Sequence, residues 1–131
     1  MRDRRQDDRV QIGKECMLYI KGKDEIPCIV KDISEVGIAF EMEYSETLYK
    51  QLKEIKEIKF SYLDEFIFIG TEQTTIITAV CNIVRVVKKK EKLLIGCKMN
   101  SNSNIKHYVV QKKVNAFMES INSHKTQYRE G

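Results

Sequence analysis

From residue 14 to residue 99 apolar side chains recur at alternate positions, and beyond residue 102 the interval changes to three and four. A period of two places every second side chain on one face of a strand, whereas a period of 3.6 marks a helix. A chain that makes this switch once, near its end, must build a β layer first and lay a helix on it. The alternation divides into strands over residues 14–21, 26–33, 37–42, 55–63, 66–69, 74–87 and 93–99. Gly22-Lys23-Asp24 and Leu63-Asp64-Glu65 read as turns, and Asp32-Ile33-Ser34-Glu35-Val36-Gly37 as a tight connection. Leu48 and Leu52 suit a short helix within residues 45–53, although the capping signal there is weak. Asn102-Ser103-Asn104 offers N-capping side chains. Val110, Val114, Phe117, Met118 and Ile121 follow at helical spacing and predict an amphipathic helix of about five turns. That stripe is expected to pack on the sheet or at a barrel mouth rather than to form a partner-binding groove. The sum is an all-β chain: a small antiparallel β-barrel with a C-terminal α-helix as its lid.

Composition narrows the classes of function. The chain has 131 residues, the size of one domain, and its 42% hydrophobic and 32% charged residues suit an ordered, soluble protein. No apolar run approaches the roughly 20 residues that span a bilayer. The charged start, Met1 to Arg9, has no apolar stretch behind it and is not a secretory signal. A cytoplasmic protein that avoids membranes is the expectation. Its 23 basic and 19 acidic groups leave a net charge of +4, compatible with an anionic ligand and short of a dedicated duplex-DNA binder. The dense run Lys88-Lys89-Lys90-Glu91-Lys92 reads as a solvated hairpin turn. Cys16, Cys28, Cys81 and Cys97 form no C-x-x-C pair and alternate with apolar neighbours, so all four read as reduced core residues.

Catalysis finds little support. The two histidines, His107 and His124, have neither a neighbouring nucleophile nor metal-ligand spacing. No nucleophile elbow, phosphate-binding glycine loop or two-histidine zinc motif occurs. The expectation is a protein that is not an enzyme and carries no metal or resident cofactor. Arg5 and Arg9 say more, standing four apart with Arg4 just ahead. A guanidinium is a planar fork that suits phosphate oxygens, the O6 and N7 edge of guanine, or the guanine face. Taken alone, the segment reads equally as a mobile charged terminus in which Asp3, Asp7 and Asp8 balance the arginines. In Asp32-Ile33-Ser34-Glu35-Val36-Gly37, Asp and Ser can cap a turn through their own backbone, and Gly can supply a positive φ. The same Asp can also accept from the N1 and N2 donors of guanine, with Ser offering a hydroxyl.

Together the two elements are far more specific than either alone. R-x-x-x-R followed one strand pair later by [D/N]-x-S-x-x-G resembles the signature of PilZ domains. Asn82-Ile83-Val84-Arg85-Val86-Val87 and Leu94-Ile95-Gly96-Cys97-Lys98-Met99 are similar to the closing hairpin of that family, with Met99 where the family usually has an aromatic. The resemblance covers about residues 4–122. It implies a six-stranded PilZ-type barrel and a bacterial, cytoplasmic receptor for the second messenger cyclic di-GMP. It further implies that Arg5 and Arg9 clamp phosphates and guanine edges, that Asp32 and Ser34 hydrogen-bond the base, and that Gly37 permits the turn. Family members with an arginine just before the arm tend to bind two mutually stacked ligand molecules, and Arg4 suggests the same. Arg85 is a candidate for stacking, and equally an exposed strand residue.

The expected division is a flexible arm over 1–13, barrel plus helix over 14–122, and a polar tail over 123–131. With no effector domain expected on either side, the signal would pass to an unidentified partner protein. Two rivals stand beside this reading. One is a PilZ-fold interaction adaptor that binds no nucleotide. The other is a general nucleic-acid binder using Arg2, Arg4, Arg5 and Lys88 to Lys92, disfavoured because few aromatics are placed for base stacking.

Overall fold

The period-two segment closes on itself. In the computed structural model, which describes residues 9–20, 25–100 and 103–130 (side chains of 103–104 and 122–130 excepted), six strands form a barrel. They are β1 (Val10–Tyr19), β2 (Glu25–Ile33), β3 (Gly37–Glu43), β4 (Glu57–Phe68), β5 (Thr71–Lys89) and β6 (Lys92–Met99). Their neighbour order is β1-β2-β3-β6-β5-β4, every pairing antiparallel, and closure leaves the ring itself without an edge. Two helices complete the chain, α1 (Glu46–Glu54) and α2 (Ser103–Glu130). No helix among the described residues is long and apolar enough to cross a membrane.

Inward-facing positions fill the barrel. Leu18, Val30, Phe40, Phe60 and Cys81 are fully buried, and the Phe40 and Phe60 rings meet at 5.5 Å between centroids. Burying a side chain of this size contributes about 1.5–3 kcal/mol, so these layers set the register. All four cysteines are reduced and buried. Cys28 and Cys97 hydrogen-bond to Cys16 and Cys81, and this contact together with burial pushes their thiols well above the ordinary range. They behave as core atoms, as the alternation suggests. Leu52 brings α1 onto the barrel, fully buried, and Ser45 caps that helix by accepting from the Leu48 amide at 3.2 Å. The lysine run turns the β5–β6 hairpin, where Lys89 pairs with Lys92, Lys92 bonds Glu43 at 2.6 Å and Lys88 lies over the Tyr44 ring.

Several expected boundaries move. β1 starts at Val10, so the last four residues assigned to the arm belong to the sheet, with a bulge at Gly13 (φ +66). Leu63-Asp64-Glu65 is not a turn: β4 runs straight through it, and the chain reverses at Ile69-Gly70, both with positive φ. The expected strand 74–87 is longer, Thr71 to Lys89. The helix is longer too. Its 28 residues make nearly eight turns and take in most of the expected polar tail. The Gly22-Lys23-Asp24 turn and the capping role of residues 102–104 lie outside the described residues and side chains.

The larger correction concerns how α2 docks. Ile105, Tyr108 and Val109 bury against the barrel, whereas Val110, Val114, Phe117 and Met118 are exposed. Packing alone does not fix this choice; Asp64 does. It is fully buried on β4 and accepts from the Tyr108 hydroxyl at 2.7 Å, and Lys112 reaches the same oxygen at 3.1 Å. Tyr62 donates to the Tyr108 oxygen at 2.9 Å. A buried carboxylate demands such partners, and the two that answer it from α2 stand one turn apart. The face carrying Tyr108 and Lys112 must therefore turn inward.

Candidate functional site

Arg9 is the last residue before β1, and the register Val10↔Ile33 and Gln11↔Asp32 sets it beside the end of β2. There the Arg9 Nη1 donates to Asp32 Oδ1, the two side chains being 28% and 19% exposed. The last residue of the arginine motif thus meets the first residue of the D-x-S-x-x-G motif across 23 residues of sequence. Charge-assisted bonds of this kind hold a geometry while leaving donors and acceptors on both partners for a ligand.

The connection between β2 and β3 is organised by Ser34, which is buried. Its hydroxyl oxygen accepts from the amides of Val36 at 3.2 Å and Gly37 at 3.0 Å, and its own amide donates to the Gly37 carbonyl at 2.8 Å. The side chain is committed to the turn, and it fixes where Asp32 and Gly37 sit. Ser34→Ala should leave two amides without their acceptor and destabilise the fold by about 1–3 kcal/mol, read as a lowered urea midpoint at unchanged m.

Gly37 differs from the expectation in its backbone. Its φ is not positive; positive-φ glycines among the described residues are Gly13 and Gly70. A Cβ at Gly37 would instead stand 3.2 Å from the Cys97 carbonyl oxygen, so the close approach of β3 to β6 leaves a side chain only a tight fit.

Barrel register then extends the site sideways. Gln11 on β1 pairs with Asp32 on β2, Asp32 with Ala39 on β3, Ala39 with Gly96 on β6, and Gly96 with Arg85 on β5. The row faces outward, because its strand neighbours Ile33, Ile38, Phe40, Ile95 and Cys97 are buried. Three strand spacings separate Asp32 from Arg85, about 14 Å. Between them Ala39 and Gly96 leave a low floor. The Arg85 side chain lies across Gly96, its Nε 3.3 Å from where a Cβ would be. All three register shifts of the barrel adjoin this row, at Gln11/Lys14, Val30/Asp32 and Ile83/Arg85. Bulges re-aim side chains and gather beside functional surfaces.

The structure thus brings together Arg9, Asp32, Ser34 and Gly37, and sets Arg85 at the far end of the same row. Arg4 and Arg5 lie outside the described residues. Ala39 and Gly96 were not singled out from sequence. Both are small residues at outward positions of period-two strands, a signal present in the sequence, but their adjacency depends on β3 pairing with β6. Two cavities, of about 200 and 370 Å³, lie elsewhere, along the β4–β5 hairpin and between β5 and α2. The row itself is a shallow surface with a carboxylate and an arginine at one end and a second arginine at the other. Chemically it can take a flat, polar, anionic ligand held from above by further donors.

Comparison with known proteins identifies the family and the fold. A family model described as the PilZ domain matches residues 3–114. No curated protein matches the chain. Among solved structures it is similar to the Bacillus subtilis inhibitor of motility MotI/DgrA, at 15% identity and a TM-score of 0.56, over 82% of this chain and 50% of that one. It is similar to the Borreliella burgdorferi PlzA protein in complex with c-di-GMP, at 8% identity and a TM-score of 0.54, over 87% of this chain and 52% of that one. The K. pneumonia MrkH–c-di-GMP complex gives 13% identity and a TM-score of 0.56, over 88% and 52%. The chain spans about half the length of each, and at these identities the likeness is one of fold. The matched stretch holds Arg4, Arg5, Arg9, Asp32, Ser34, Gly37 and Arg85 together with all six strands of the barrel, and the chain belongs to the PilZ domain family.

Proposed function

We propose that the chain is a cytoplasmic, non-enzymatic receptor for cyclic di-GMP that passes its signal to a partner protein. The observation that carries the reading is the Arg9–Asp32 pair at the end of the Asp32–Ala39–Gly96–Arg85 row. Arg9 and Arg5 supply forks for the phosphates and the guanine edge. Asp32 accepts from the guanine N1 and N2 donors, the bare backbone at Gly96 lets the base approach, and Arg85 stacks on or bonds its far side. Ser34 and Gly37 hold the turn that aims Asp32. Family membership supports this reading, as do the two structural neighbours solved with c-di-GMP.

In the free protein Arg9 and Asp32 neutralise one another. A dianionic ligand competes for the Arg9 fork and offers Asp32 donors in exchange, so the pair is rearranged rather than lost. Arg4 is assigned to a second, stacked ligand molecule. For Arg4→Ala the expected result is a fall in stoichiometry from two dinucleotides per chain to one, read by isothermal titration; an unchanged value of two removes that role. The alternative, an adaptor of the same fold that binds no nucleotide, predicts no heat in the same titration of the unaltered chain.

A further inference from the structure

The Asp32–Ala39–Gly96–Arg85 row has two flanks, and they differ in charge. On the side away from the Ser34–Gly37 turn the next outward positions are Glu41, Leu94 and Val87, paired in that order across β3, β6 and β5. Glu41 is a carboxylate, already held by Lys31 at 3.5 Å. On the side of the turn, one step beyond the Val10↔Ile33 pair, Arg9 stands beside Ser34. The same flank continues through Gly37, which pairs with Lys98, and Lys98 pairs in turn with Asn82. This flank is cationic at two places, Arg9 and Lys98, and Gly37 puts no side chain between them.

Lys98 faces outward and is exposed, because its strand neighbours Cys97 and Met99 are the buried ones. Along β6 it stands two residues, about 7 Å, from the bare backbone at Gly96. The Met99 amide donates to the Val36 carbonyl at 2.8 Å, which holds this end of β6 against the turn that aims Asp32. β2, β3 and β6 together carry three lysines. Lys31 bonds Glu41 and Lys92 bonds Glu43, but among the described residues no carboxylate pairs with Lys98.

An ammonium is a compact point charge on a long stem, suited to a phosphate oxygen and unable to read a base edge as a guanidinium fork does. Two strand spacings, about 10 Å, separate the β2 and β6 backbones. Arg9 lies against Asp32 on β2, so its guanidinium and a Lys98 ammonium swung over Gly37 meet one anion from opposite sides. The opposite flank, with Glu41 and two apolar side chains, has nothing to offer a phosphate.

We infer that Lys98 is a further ligand residue of the cyclic di-GMP site. Its ammonium holds a phosphate from the side opposite Arg9, and it thereby sets how the dinucleotide lies: phosphates along the turn flank, bases over the Ala39–Gly96 floor. The inference rests on the function proposed above and deepens it.

The test is isothermal titration of the full chain with cyclic di-GMP, at low and at high salt, for the unaltered protein and for Lys98→Met, Lys98→Arg and Lys92→Met. Lys98→Met should lose about tenfold in affinity at low salt, the loss of one charge-assisted bond. The loss should shrink at high salt, because the missing contribution is ionic. Lys98→Arg should recover most of the affinity. Lys92→Met removes the same charge from the other end of β6 and should titrate like the unaltered chain. Both lysines are exposed, so melting temperatures should agree across the set. Undiminished affinity in Lys98→Met overturns the inference. So does an equal loss in Lys92→Met, which would make net charge the cause, and so does a loss that neither salt nor Lys98→Arg reduces, which would make it structural. Absence of binding by the unaltered chain would overturn the receptor reading and this assignment with it, whereas full binding by Lys98→Met overturns the assignment alone.

Discussion

Arg9→Ala should weaken cyclic di-GMP binding by roughly tenfold to a hundredfold, since one good bidentate contact is worth about 1–3 kcal/mol. The fold should barely notice. The Arg9–Asp32 pair is part-exposed, and such pairs typically contribute 0–1 kcal/mol, so the melting temperature should fall by a few degrees at most. Arg9→Lys separates charge from shape: the positive charge remains, but the fork that can hold two ligand atoms at once is gone, and most of the affinity should go with it. Arg5→Ala should lose affinity similarly. Isothermal titration of the three variants, with thermal melts alongside, checks the assignment. Undiminished affinity in both alanine variants would remove the arginine arm from the site.

The largest effect on stability is expected at Asp64. Its side chain is fully buried, Tyr108 and Lys112 point their donors at one oxygen, and Lys14 stands 3.8 Å from the other, which has no hydrogen-bond partner among the described residues. Asp64→Ala strands the Lys112 ammonium, 15% exposed, and the Tyr108 hydroxyl against apolar surroundings. Removing one partner of a buried charge pair costs about 3–5 kcal/mol, a large part of the total stability of a domain. Replacing both charges, Asp64→Leu with Lys112→Met, should cost much less, because no lone charge is left behind. Urea melts of single and double variants measure the difference; equal losses would mean that the network contributes through shape alone. Burial also raises the Tyr62 and Tyr108 hydroxyls above their ordinary pKa of 10.0. The folded state then keeps protons that the unfolded chain releases. Below pH 10 this pair leaves stability unchanged, and above it stability falls as pH rises.

Asp64 also shows where sequence reasoning stops. Leu63-Asp64-Glu65 looks like a turn because two carboxylates interrupt an apolar run, and nothing local reveals that one of them is answered by Tyr108 and Lys112, more than forty residues on. The same partners rotate α2, so the stripe expected to pack on the barrel faces outward and Tyr108 takes its place inside. Period-two alternation, by contrast, is a local consequence of burying one face, and it reveals the strands of the barrel, with β4 divided in two, together with the buried cysteines and the lysine-rich hairpin. The meeting of Arg9 with Asp32 was legible because two motifs pointed to one ligand. Ala39 and Gly96 were not, since the floor they make exists only after β3 has paired with β6. At Gly37 the backbone is not left-handed as expected, and what crowds a side chain there is a carbonyl oxygen of the neighbouring strand.

Whether the Asp32–Ala39–Gly96–Arg85 row with its arginine arm is a cyclic di-GMP site is settled most directly by isothermal titration of the unaltered chain with cyclic di-GMP, with GMP as the control. Saturable binding of the dinucleotide is expected, at two molecules per chain, with none of comparable strength by GMP. No detectable heat with cyclic di-GMP up to about 1 mM, where even a binding free energy of about −4 kcal/mol would register, would contradict it and leave the adaptor reading.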